Sequence, residues 1–196
     1  GNLPAFRIPV VKRYLKHTER DAIDLDEASR FGEYEQKVAW LKRRSKSIIG
    51  DLILLNDERA SRGLATLFSN SSSLKGHNFV DVPLVNNETE AISFLVHAHK
   101  HLVEPADKHL KGGVAKNEAF GNEFPNLRYA FMRLKVYRNK HCHIELNGHT
   151  ELGYTAYLEE DFDSTPPSEL EDGWFKLQRR ILDNIHVALQ TEISRL

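Results

Sequence analysis

The chain has 196 residues, 40% of them hydrophobic and 28% charged, and its 27 Lys and Arg against 28 Asp and Glu leave a formal net charge of -1. That balance fits one soluble globular domain with a real core; it excludes a disordered or collagen-like chain and a nucleic-acid binder that works through bulk positive charge. A single cysteine, Cys142, excludes an internal disulfide and fits a reducing cytoplasmic setting, and no apolar run approaches the roughly 18 residues of a membrane span.

Residues 1–30 read as a peripheral N-terminal segment. Pro4 and Pro9 keep its start extended, residues 10–21 suit one short helix, and Asp21, Asp24, Asp26 and Glu27 form a solvated acidic run. From about Gly32 to Arg62, the spacing of Tyr34, Val38, Leu41, Ile48, Leu52 and Leu55 predicts a long helix with one apolar face, stopped at Gly63. Ser69 to Ser73 and the stretch from Gly76 to Pro83 are too polar and too rich in breakers to be regular. Asn87 with Glu90 makes a capping box for a third helix, whose stripe is Ile92, Leu95, His99, Leu102, Ala106 and Leu110. Pro105 is placed to kink or split it, Gly112-Gly113 closes it, and a loop rich in Gly and Asn is expected up to Pro125.

A fourth helix starts near Asn126 with Leu127, Phe131 and Leu134 facing inward. It carries Arg128, Arg133, Lys135, Arg138 and Lys140, with no acidic residue before Glu145. Asn147-Gly148, flanked by Ile-Glu-Leu and Thr-Glu-Leu, is either a helix stop or the turn of a small β-hairpin. The acidic stretch 159–167 reads as a loop, and Ser168 with Glu171 as a second capping box. That box opens a final helix with the stripe Leu170, Trp174, Leu177, Ile181, Ile185 and Ala188. The expected fold is all-α: a single domain, 1–196, of four to five main helices packed antiparallel, with at most one hairpin near 143–155.

The chemistry gathers at Arg138-Asn139-Lys140-His141-Cys142-His143. Histidine titrates near neutral pH and serves as general base or acid, while arginine stays charged and presents a planar fork that fits phosphate oxygens. Together the two suit chemistry at a phosphate: a proton taken or given by the imidazole and negative charge held by the guanidinium. Arg138 and His143, five residues apart, lie about 140° apart around a regular helix. They converge only if the helix distorts or ends, or across a dimer. His141 shares the face of Arg138 better and competes for the histidine role. The plain structural alternative is that Arg138 lays its stem on the core and Asn139 and His143 cap the helix end.

Arg138-Asn139-x3-His143, in a basic helix of an all-helical chain with a helix after it, resembles the signature of the HEPN superfamily, the higher eukaryotes and prokaryotes nucleotide-binding domains. The likeness covers six residues in sequence and most of the chain in architecture. It implies a metal-independent endoribonuclease, a toxin or defence protein with an antitoxin or other partner, whose two motifs meet across a homodimer. Arg138, His143 and Asn139 are then catalytic, and Arg133, Lys135, Lys140 and His141 are candidates for holding RNA. No cofactor is implied. The alternative within the same resemblance is a non-catalytic helical module that binds a partner protein or nucleotide.

Other histidines give weaker signals. His97 and His101 have the i, i+4 spacing that can hold a metal, but Glu104 reads as off their face and His109 lies two turns away, so no metal site is assigned. His141, His143, Glu145 and His149 would form a second cluster only on a hairpin. Lys42-Arg43-Arg44 with Lys46 is a basic run that would widen an RNA groove if its helix packed beside the fourth. Cys142 lies between two histidines, which would lower its pKa if they were protonated, but a cysteine nucleophile needs better support than that, and no Gly-rich phosphate loop, nucleophile elbow or zinc-finger spacing is present.

Overall fold

A computed structural model describes residues 25–68, 82–106, 114–142 and 148–196; the short helix expected at 10–21, the loop at Ser69–Ser73 and His143 fall outside them. The described residues form six α-helices and no strand: α1 (Leu25–Ser61), α2 (Glu88–Ala98), α3 (Val114–Glu123), α4 (Pro125–Cys142), α5 (Gly148–Phe162) and α6 (Gly173–Arg195). The chain divides into two compact units, Gly1–Leu41 and Lys42–Leu196; α1 runs through both, and everything below concerns the second. No helix among the described residues is long and apolar enough to cross a membrane.

Helix α4 is the axis of the bundle and packs against α2, α3, α5 and α6. Pro125 stands at its first position, where a missing N–H costs nothing. Two of its orphan amides, those of Asn126 and Leu127, donate to the Glu192 carboxylate of α6, at 2.7 and 3.2 Å. Leu127, Ala130, Phe131, Leu134 and Tyr137 are buried in α4, and Leu177, Ile181, Leu182, Ile185 and Leu189 are buried in α6. Each of these leucines, isoleucines and Phe131 contributes about 1.5–3 kcal/mol of transfer free energy. Phe131 meets Phe68 edge-on and stacks on Phe120 of α3, with ring centroids 6.4 and 6.5 Å apart.

Polar contacts run in the same order along α1 and α6, Arg44 with Asp183 at 2.8 Å and Asp51 with His186 at 2.7 Å, so the two helices are parallel there. Gln190 adds a bond to Asp51 at 2.5 Å. Within the basic run of α1, Arg44 therefore faces α6, while Lys42, Arg43 and Lys46 are exposed.

Four sequence expectations are corrected. Residues 114–123, read as loop, form α3, because Phe120 and Phe124, four apart, bury against the core and outweigh the Gly and Asn around them. Residues 148–162, read as hairpin or loop, form α5: Tyr154, Tyr157, Leu158, Asp161 and Phe162 recur every three or four residues toward α4. The Ser168–Glu171 box is absent; Pro167–Glu169 is a 3-10 turn, and Asp172, in the left-handed region at φ 53°, precedes α6 without a side-chain cap. Fourth, the helix stripe through His99 passes into a π-helical turn, His99–Val103, in which the N–H of Glu104 donates to the carbonyl of His99. Pro105 explains this widening, since it has no N–H for the carbonyl of His101 and its ring crowds that oxygen.

Gly173 opens α6 in close contact with the Pro167 carbonyl, and any Cβ there would overlap that oxygen. The Gly173→Ala variant is expected to lose roughly 1–3 kcal/mol, seen as a lower urea midpoint with an unchanged slope.

Candidate functional site

The motif sits at the C-terminal end of α4, where the first turns of two antiparallel neighbours arrive. Glu88, the first residue of α2, reaches His141 Nδ1 at 3.4 Å, and Trp174, the second residue of α6, packs edge-on against the His141 ring at a 5.4 Å centroid distance. Tyr154 of α5 closes a third side at 6.4 Å. Antiparallel packing sets the negative C-terminal end of α4 against the positive starts of α2 and α6.

Arg138 is partly exposed and its guanidinium is held in place. Its Nε and Nη2 both donate to the side-chain oxygen of Asn139, at 3.2 and 2.7 Å. The second residue of the motif therefore holds the guanidinium of the first. Arg138 forms no ion pair with any described carboxylate, and neither do Arg128 and Lys135, which are exposed. Seven and ten residues separate Arg128 from Lys135 and Arg138, which puts the three on one side of the helix. The result is a stripe of positive charge, without an ion pair among the described residues, that ends at the motif. Lys140 lies over the Tyr154 ring at 5.0 Å.

Two other motif-region residues point elsewhere. Arg133, expected to hold RNA, is buried on the opposite side of α4: it donates to Asp161 Oδ1 at 2.7 Å and to the Tyr129 hydroxyl at 3.0 Å, and it pairs closely with Glu160. Its guanidinium also covers the rings of Tyr129 and Tyr157, at 5.0 and 4.7 Å. His141 is packed inside, its side chain 10% exposed, with Nε2 buried and unpartnered. With the Glu88 carboxylate as acceptor, the proton of neutral His141 belongs on Nδ1.

Burial pulls the His141 pKa below the ordinary imidazole value, against the opposing pull of Glu88. The unfolded chain then binds this proton more readily than the folded one. The His141 contribution to stability is thus complete above about pH 6.5 and is lost as pH falls below it. His141→Phe keeps the ring contacts and removes the titrating, unsatisfied nitrogen. Its urea midpoint is expected to fall less than wild type between pH 8 and pH 5.5; an equal fall would show that His141 does not carry the acid sensitivity.

On the other side of α4, Tyr137 places its hydroxyl 2.9 Å from Asp161 Oδ2 and 3.1 Å from the Tyr157 carbonyl. Burial, more than the nearby carboxylate, drives the Tyr137 pKa far above its ordinary value. Nothing in the sequence flagged Asp161 as a centre, although Arg133, Tyr137, Tyr157 and Asp161 at helical spacing on consecutive helices were the signal. His101 is shifted down by burial and then by the neighbouring His97. Among the described residues no group of three or more His, Cys, Asp or Glu is arranged to hold a metal ion. Cys142 is exposed.

Compared with known proteins, the chain finds no matching family model, no matching curated protein and no matching solved structure.

Proposed function

We propose that this protein is a metal-independent endoribonuclease of HEPN type, acting in the cytoplasm as a toxin or defence protein, with Arg138 and His143 as its reacting pair. The observation that carries the reading is the Arg138–Asn139 clamp: an arginine fork, held by its neighbour's amide oxygen at 2.7 Å, at the end of a stripe of cations without an ion pair among the described residues. A guanidinium fixed in this way loses little freedom on meeting a phosphate and offers two parallel donors to its oxygens. Arg128 and Lys135 extend the same face for flanking phosphates of a single RNA strand. Asn139 acts on substrate only through Arg138. One histidine supplies one of the two proton transfers, so the complete site takes a second motif from a second copy of the chain.

Purified protein incubated with total RNA in excess EDTA is expected to cleave it, leaving 2′,3′-cyclic phosphate ends, because the attacking group is the adjacent 2′-OH. Light scattering of the active preparation is expected to give a dimer mass. RNA that stays intact while still being bound would favour the non-catalytic module. Cleavage abolished by EDTA would overturn the mechanism.

A further inference from the structure

The wide turn that follows α2 sets two imidazoles, already neighbours at i, i+4 spacing, more nearly one above the other. In an α-helix, residues four apart are offset by about 40°. The i→i+5 turn at His99–Val103 advances fewer degrees per residue and brings His101 more nearly above His97. The rings lie 4.3 Å apart between centroids, tilted at 45°, and both residues are partly exposed. Glu104, an exposed carboxylate on the next turn, sits 3.6 Å from His99 Nδ1 and adds negative charge beside the pair.

We infer that His97 and His101 form a two-imidazole clip for a divalent transition ion of the Zn²⁺ or Cu²⁺ class. Imidazole nitrogen is a preferred donor for such ions, and two rings 4.3 Å apart between centroids are near enough for one ion to bridge them. Where these two imidazoles are the donors among the described residues, water fills the remaining positions and the ion exchanges; a closed structural site would hold four protein ligands. The clip begins nine residues along α2 from Glu88, about 13 Å from the His141 end of the bundle. It is therefore separate from the Arg138 site and independent of the ribonuclease reading.

The test is calorimetric titration of tag-free, EDTA-stripped full-length chain with Zn²⁺ alone. One site is expected, weakened on the order of tenfold or more in His97→Ala and in His101→Gln. Lys100→Ala, in the same turn, should bind as wild type does. Circular dichroism confirms that each variant is folded, and Cu²⁺ electron paramagnetic resonance should change from two coupled nitrogens to one in either histidine variant. No measurable binding in wild type, or wild-type affinity in either histidine variant, would overturn the assignment.

Discussion

Replacing Arg133 by alanine is expected to destabilise the fold by about 3–5 kcal/mol, among the largest effects of any single side chain in the bundle. The Asp161 side chain is 1% exposed and Arg133 is its closest cationic partner, at 2.7 Å against 3.4 Å for Arg180. Burial already raises the Asp161 pKa despite Arg133, Tyr137 and Arg180 pulling it down, so the carboxylate is poorly repaid for its lost hydration. Removing the guanidinium leaves that charge with less compensation and opens a hole between the Tyr129 and Tyr157 rings. Urea unfolding at pH 7.5 measures the loss. The paired variant Arg133→Met with Asp161→Leu, which removes both charges, should recover most of it. If Arg133→Ala instead keeps its stability and weakens RNA binding, the arginine belongs to the substrate face after all.

His143→Ala is expected to lower RNA cleavage by about 10²- to 10⁴-fold, by removing the acid–base group, with the protein still folded. Arg138→Ala should fall about 10²- to 10³-fold through lost phosphorane stabilisation. Asn139→Ala should fall less, since it frees the guanidinium without removing it. His141 separates the two histidine readings. Its ring is wedged between Trp174 and Tyr154, so His141→Ala should chiefly lower stability, whereas His141→Phe should keep both the packing and the cleavage. A folded His141→Phe that no longer cleaves would move the chemistry from His143 to His141. Cleavage that survives loss of both Arg138 and His143 would falsify the proposal.

How much of this could be read in the sequence depends on whether a local signal agreed with its surroundings. The third-helix cap was readable because its chemistry is local: Asn87 accepts from the Glu90 amide at 2.9 Å. The reciprocal arm shifted by one residue, with the Glu90 carboxylate bonding the Asn86 amide. Helices α4 and α6 were readable from their stripes. The Ser168 box failed because Pro167 and the crowded start at Gly173 set the entry of α6 more firmly than a serine hydroxyl does. Helix α3 was missed because two phenylalanines buried by partners distant in sequence outweighed poor local propensity. At the site, charge type was visible but direction was not: Arg133 and Lys135 are two residues apart in one basic run, yet helical rotation sends one into the carboxylates of α5 and the other to water.

Glu192 joins the start of α4 to a residue 66 positions later, and Gln178 holds the segment before α2 through Val85 and Pro83 at a separation of more than 90. Read as events on a ribosome, these bonds give the bundle an order of assembly. Helix α4 emerges with its first amides unmet and the part of its apolar face that meets α6 open, and that part stays so until α6 has been synthesised and has left the exit tunnel. Helix α6 thus closes the bundle on that side, and the nascent chain passes through an interval with that side of α4 exposed. That is the stretch a chaperone would be most useful in covering. A motif built on the last turn of α4 would therefore mature after synthesis of α6, which delays the onset of any activity it carries until the bundle is whole.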